Sequence, residues 1–255
     1  MNNALKYIVG ILIAVLSLAC ITFALAGGAH QKKDLVFTGI AIENDSPQGR
    51  RFLEDEELIA LVKQRSGNIV GRKVAGFDIY ALEKDLDNTS CILKSQVYVD
   101  NEGVLHIQVS ERKPFVRLQT ANSAYYADRE GKLFPLQSHY SAWVPVVEGK
   151  LPIGSGHAMG KAEQDWMKSM IAWVAAFQDN SKWKNRCTQI HIDKDGRASL
   201  VLDGYSERFI LGDFNEVEKK QRKIEQYISL IRPQLAEGKT YKSVNVRFNG
   251  QIICQ

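Results

Sequence analysis

The sequence holds little cysteine, four in 255 residues. Cys20 lies inside an apolar run, and Cys91, Cys187 and Cys254 are far apart. No pair has metal-ligand spacing, and the density is too low for a disulfide scaffold. They read as small buried residues, with one disulfide and one leftover thiol as the alternative in an oxidising compartment. An excess of one charge sign is also missing. The net charge is +4, and Lys and Arg alternate with Asp and Glu, as from Glu216 to Lys223. That is solvated helix surface, and it excludes a nucleic-acid stripe. The five histidines (His30, His106, His139, His157, His191) are scattered, and neither H-E-x-x-H nor G-x-S-x-G occurs.

Two loops come close to binding motifs and miss. Gly154 to Lys161 has the glycines of a phosphate loop, but Ser155 stands where the first Gly belongs and Ala162 follows Lys161. Asp193-Lys194-Asp195-Gly196 lacks the third oxygen ligand before its Gly and the closing Glu of a calcium loop, so it reads as a hairpin turn. No catalytic residue, cofactor ligand or metal ligand is assigned, and a non-enzymatic role is expected.

The chain does carry one long hydrophobic run. Residues Ile8 to Ala26 contain no charge, and a bilayer-spanning helix needs about 20 apolar residues. A signal peptide, with an apolar region of about 7–15 residues, is the competing reading, and Ala24-Leu25-Ala26 fits its cleavage site. The length favours an uncleaved transmembrane helix over 8–26 behind a tail of residues 1–7. Lys6 precedes the run while Lys32 and Lys33 follow it. The positive-inside rule alone therefore argues against a cytoplasmic N-terminus, while the very short tail and large following part argue for one.

Apolar 45% and charged 24% composition make the remainder globular, with room for one core or two smaller ones. Leu35 to Ile42 reads as a strand. A helix follows over about 54–63, with Leu58, Leu61 and Val62 on one face. Asp78 caps a second helix bearing Ile79, Leu82 and Leu86. Ile92 to Val99 and Val104 to Ser110 are strands, the second alternating with period two. The order β-α-α-β-β over 34–111 suits a small α+β domain.

From 112 to 255 the pattern is mostly β. Strands are expected at 116–120, 124–127, 132–136, 190–192, 198–202, 209–211, 244–248 and 252–254. Helices are expected at about 163–177, with Trp166, Met170, Trp173 and Phe177 on its core face, and at about 215–235, with Val217, Ile224, Ile228, Ile231 and Leu235 on its apolar stripe.

Three runs carry a family resemblance: Val104 to Pro114, an alternating strand followed by Glu111-Arg112-Lys113-Pro114; Tyr125 to Leu136, a hairpin around Asp128-Arg129-Glu130-Gly131; and Ser243 to Ile253. Their order resembles the FtsQ/DivIB bacterial cell-division proteins. Asn245 departs from the Asp often found there. The resemblance implies an α+β fold: an N-terminal transmembrane helix, a POTRA-type β-α-α-β-β domain, then a mainly antiparallel β domain with flanking helices. It places the bulk of the chain in the periplasm at the septal inner membrane. It implies a scaffold that binds FtsB and FtsL by strand addition and helps recruit and regulate septal peptidoglycan synthesis, with FtsK and the synthase FtsW/FtsI as further partners and no nucleic acid.

The expected partner-binding segment is a sheet edge made of Ser243, Asn245, Arg247, Phe248, Asn249, Gly250 and Gln251. Val244, Val246 and Phe248 alternate there with polar residues, and the segment closes the chain. Two alternatives stay open: another POTRA-bearing envelope module, disfavoured by the lack of repeats, and a signal-cleaved extracytoplasmic enzyme.

Overall fold

A computed structural model describes residues 13–21, 35–47, 49–154, 159–236 and 238–255. The membrane-spanning helix expected over 8–26 is not found among the described residues. Residues 13–21 are helical. Among the described residues no helix is long and apolar enough to cross a membrane. Residues 8–12 and 22–26 lie outside the described residues.

The chain divides into two compact units between Glu111 and Arg112. The first holds β1 (Gly39–Asn44), α1 (Asp55–Ser66), α2 (Ile79–Asp87), β2 (Ile92–Val99) and β3 (Val104–Glu111). Its three strands stand in the order β1-β3-β2, with β1 parallel and β2 antiparallel to β3. The parallel pair is joined through both helices and the edge strand β2. Helix α1 is set by its charges. Asp55, Glu56 and Glu57 fill its first turn, while Lys63 and Arg65 stand in its last, each sign opposing the helix dipole. Gly67 ends it at φ 71°, a left-handed conformation that costs Gly little. Leu58 and Val62 of α1 and Leu82 and Leu86 of α2 are buried with Leu105, Ile107 and Val109 of β3.

The Glu111 carboxylate ties this unit together. Its side chain, on a residue 3% exposed, accepts from the Phe52 and Leu53 amides at 2.9 Å each and from Asn44 Nδ2 at 3.0 Å. The chain entering α1 is thereby bonded to the end of β3.

Among the described residues the second unit is one sheet of nine strands with helices. They are β4 (Val116–Gln119), β5 (Ala124–Ala127), β6 (Leu133–Pro135), β7 (Val146–Gly149), α3 (Lys161–Gln178), β8 (Cys187–Ile192), β9 (Ala198–Leu202), β10 (Arg208–Gly212), α4 (Val217–Gln226), β11 (Ser243–Asn245) and β12 (Ile253–Cys254). The order across the sheet is β12-β11-β10-β9-β8-β7-β4-β5-β6. The sheet is mixed: five of its eight pairings are antiparallel, the arrangement expected for most of it, but β4-β7, β7-β8 and β10-β11 are parallel. Parallel pairs need crossovers, and helix α3 between β7 and β8 and helix α4 between β10 and β11 supply two of them.

Met167, Met170, Trp173, Val174 and Phe177 of α3 pack with Val116, Leu118, Val147, Ile190 and Leu200 of the sheet. The helix expected over 215–235 is α-helical only to Gln226. It widens to a π turn over Tyr227–Ile231 and tightens to a 3-10 turn over Arg232–Gln234, where Pro233 lacks the amide a continuing helix would use.

Candidate functional site

The C-terminal strands form one end of the large sheet. Strand β11 is paired on both sides. Arg208, Phe209 and Ile210 of β10 lie opposite Ser243, Val244 and Asn245 in parallel register, and Val244 and Asn245 lie opposite Cys254 and Ile253 of β12. The expectation that Ser243 to Gln251 is itself the sheet edge therefore fails: β12 covers β11, and β12 is the edge. The Gln255 amide donates to the Ser243 carbonyl at 3.0 Å, and the Ser243 amide donates to the Gln255 carbonyl at 3.0 Å. Antiparallel pairs alternate, so the N–H and C=O of Cys254 point away from β11, to the open side.

The predicted site residues separate into two groups. Ser243 and Asn245 are half-buried within β11. Arg247, Phe248, Asn249, Gly250 and Gln251 lie in an exposed turn between β11 and β12. Val244 and Val246 are fully buried, but Phe248 is 40% exposed, outside the alternation expected for it. The turn is held from several directions. Val246 donates its amide to the Ile210 carbonyl at 3.0 Å, and Arg247 donates its amide to Asn245 Oδ1 at 3.1 Å. Lys223 of α4 donates its ammonium to the carbonyls of Val246, at 3.1 Å, and Phe248. Gly250 adopts φ 68°. The Arg247 guanidinium lies over the Phe248 ring, 4.4 Å from its centroid, within cation–π reach. Its methylene stem covers Gly212, where an added Cβ would come within 2.7 Å of Arg247 Cδ.

Beneath the edge lies a buried acidic group. Glu207 is 0% exposed. Its Oε1 accepts from Tyr227 Oη at 2.7 Å and from Arg232 Nε at 3.0 Å. Burial raises the Glu207 pKa, but the Tyr227 hydroxyl, the Arg232 guanidinium and a backbone bond outweigh it and bring the pKa below its ordinary value. Burial and the Glu207 carboxylate push the Tyr227 hydroxyl up. Arg232 stacks over the Tyr205 ring at 5.1 Å. These bonds tie the π turn to the chain entering β10, the strand on which β11 and β12 are built. Lys220 of α4 bonds the Asp213 carbonyl at 2.8 Å at the other end of β10. Lys223, Gly212, Ile253 and Cys254 belong to this site and were absent from the sequence expectation. The strand at 252–254 was legible, but its pairing outside β11 was not.

The near-motifs have structural explanations. Glu163 accepts from the Gly154 amide at 3.2 Å and the Gly160 amide at 2.6 Å, so a carboxylate of α3 fills its own helix N-terminus; residues 155–158 lie outside the described residues. Asp193 Oδ1 accepts from the Asp195 and Arg197 amides at 2.8 Å each, which makes it the clasp of the β8–β9 hairpin. Burial pushes the Cys187 thiol up to about 12, far from the thiolate a nucleophile needs. Among the described residues no three His, Cys, Asp or Glu side chains gather as metal ligands.

Residues 113–255, more than half of the chain, match the family model described as FtsQ/DivIB, C-terminal related. The chain belongs to this family. The match covers the whole mixed sheet, from the approach to β4 through β12, so the strand order given above is that of the FtsQ/DivIB-related region. No curated protein matches the chain. FtsQ/DivIB proteins are bacterial cell-division proteins without enzymatic activity, and membership points to a role in division.

Proposed function

We propose that this chain is a non-enzymatic divisome scaffold that acts at the septum and binds the FtsB–FtsL pair by strand addition at β12. The observation that carries the reading is the open outer side of β12. It is a two-residue strand whose Cys254 backbone faces outward, and the exposed Arg247 and Phe248 stand in the turn that leads into it. Backbone bonds to an incoming strand supply affinity, and side chains beside the edge supply selectivity. An edge this short is protected against indiscriminate pairing. Under this reading Ser243 and Asn245 hold β12 from behind. Arg247, Phe248, Asn249, Gly250 and Gln251 flank the incoming segment, with an aromatic and an arginine of the kinds that dominate interface energetics.

The first unit is read as a POTRA-type domain on its β-α-α-β-β order. FtsK and the septal synthase FtsW/FtsI are the further partners the family relationship suggests, and through them the scaffold would help recruit and regulate septal peptidoglycan synthesis.

The test is titration of the full chain with the FtsB–FtsL pair. Cys254→Pro removes the outward amide while sparing the inward bonds of Gln255. It should abolish measurable binding. Phe248→Ala should weaken binding by about 2 kcal/mol, the threshold of a hot spot. Wild-type affinity in both variants, with unfolding unchanged, would remove this edge as the interface.

A further inference from the structure

A cavity of about 540 Å³ opens at the N-terminal ends of β4, β7 and β8, away from β12 along the sheet. Its charges are unequal: Arg117, Arg129 and Lys184 line it against one carboxylate, Asp179. Arg129 is already committed, with Nη1 and Nη2 bonded to the two Asp179 oxygens at 3.0 and 2.5 Å and its guanidinium 4.5 Å from the Phe115 ring centroid. Arg117 is not. Its Nε is buried without any hydrogen bond, and among the described residues its one side-chain bond runs from Nη2 to Gln119 Oε1 at 3.3 Å. Lys184 forms no ion pair within 4 Å among the described residues and is exposed. A half-buried guanidinium without a carboxylate leaves donors whose desolvation is uncompensated.

The rim supplies the second feature. Trp143 is 91% exposed, and among the described residues it is the most exposed large apolar side chain and its ring faces no aromatic partner. The volume falls in the range of small-molecule sites, about 300–1,000 Å³. Strands β4, β7 and β8 are each hydrogen-bonded on both sides, so the cavity offers no free sheet edge to an extended peptide. Ser141 and Thr188 line it as well, with the Thr188 hydroxyl donating to the Val201 carbonyl at 3.4 Å.

We propose that this cavity binds a carboxylated sugar: the carboxylate pairs with Arg117 and Lys184, and the C–H face of the ring lies on the Trp143 indole. An aromatic face is negative and attracts polarised C–H groups, while a guanidinium takes a carboxylate through two parallel N–H bonds. Ser141 in the lining suits a hydroxyl-bearing ligand. Burial pushes the Cys187 thiol of the same lining up to about 12, so it is not a nucleophile at neutral pH. The inference stands independently of strand addition at β12.

The experiment is an NMR titration of the full chain that follows the Trp143 indole N–H with D-glucuronate, D-glucose, acetate and a glutamate-rich peptide. Glucuronate should shift this resonance saturably and bind at least tenfold more tightly than glucose, which lacks the charge, or acetate, which lacks the ring. Trp143→Ala, read on neighbouring backbone amides, and Arg117→Gln should each weaken glucuronate at least tenfold with unfolding midpoints unchanged. If Arg117→Gln fails to fold, exposed Lys184→Gln takes its place and should weaken binding in the same direction. The proposal is overturned if glucuronate gives no saturable shift or binds no better than glucose or acetate. Folded Trp143 and Lys184 variants that bind as wild type would also overturn it. Tighter binding of the peptide at this cavity would overturn it too and assign the cavity to a protein partner.

Discussion

Replacing Glu111 with alanine should destabilise the first unit more than any surface change in it. The carboxylate receives three hydrogen bonds, two from the consecutive amides of Phe52 and Leu53 and one from Asn44. Hydrogen bonds to a charged group contribute about 1.5–3 kcal/mol each, and stranding a buried donor costs about 1–3 kcal/mol. Water entering the space left by the side chain recovers part of this, so the expected net loss is about 3 kcal/mol. For a unit of this size that corresponds to a fall of roughly 12–24 °C in melting temperature. Glu111→Gln keeps one acceptor and turns a donor toward an amide, so roughly half the loss is expected. Native-state hydrogen exchange of the α1 amides, among them those of Leu58 and Val62, reads the stability of this unit without interference from the other. A change below about 0.5 kcal/mol, the range of ordinary surface substitutions, would refute the role given to this carboxylate.

Other consequences follow from single contacts. Gly149 has φ 102°, and a Cβ there would meet the Ile192 carbonyl oxygen at 2.1 Å; Gly149→Ala should therefore cost at least about 2 kcal/mol in urea unfolding of the second unit. The folded pKa of Glu207 lies below its ordinary value of 4.5, so its ionised form stabilises the fold above that pH. That stability is lost as pH falls through the lower folded value. Glu207→Gln should flatten the acid limb of the stability profile, and Tyr227→Phe should raise the Glu207 pKa in a carboxyl-carbon NMR titration. Lys223→Met should loosen the turn over 246–251, read as faster exchange of the Arg247 amide with little change in global unfolding.

Much of the fold was legible because local pattern and tertiary environment agree. The alternation of Leu105, Ile107 and Val109 and the helical spacing of Leu82 and Leu86 each bury the residues the periodicity selects. The aromatic stripe of α3 packs on the sheet for the same reason. What was not legible is non-local. Parallel pairing of β4, β7 and β8 depends on crossovers, and no residue of those strands records its neighbour. The α4 apolar stripe continues through Ile228 and Ile231, so periodicity hid the widening to a π turn that Glu207 holds through Tyr227 and Arg232. At the candidate site, Arg247 and Phe248 were picked out as residue types, but their place in a turn was not. The strand near 252–254 was legible, but its pairing with β11 was not, and that pairing moves the edge from β11 to β12. The apolar run over 8–26 was read from its length and its lack of charge, and among the described residues no helix is long and apolar enough to cross a membrane.

Amide hydrogen exchange at Cys254 reads the proposed docking edge directly. In the free chain this amide points away from β11 and should exchange quickly, while the Gln255 amide, bonded to the Ser243 carbonyl at 3.0 Å, should be protected. Addition of the FtsB–FtsL pair should slow exchange at Cys254 by at least tenfold and leave the pattern across β4, β7 and β8 unchanged. Tight binding of the pair with Cys254 still exchanging at its free rate would contradict strand addition at β12.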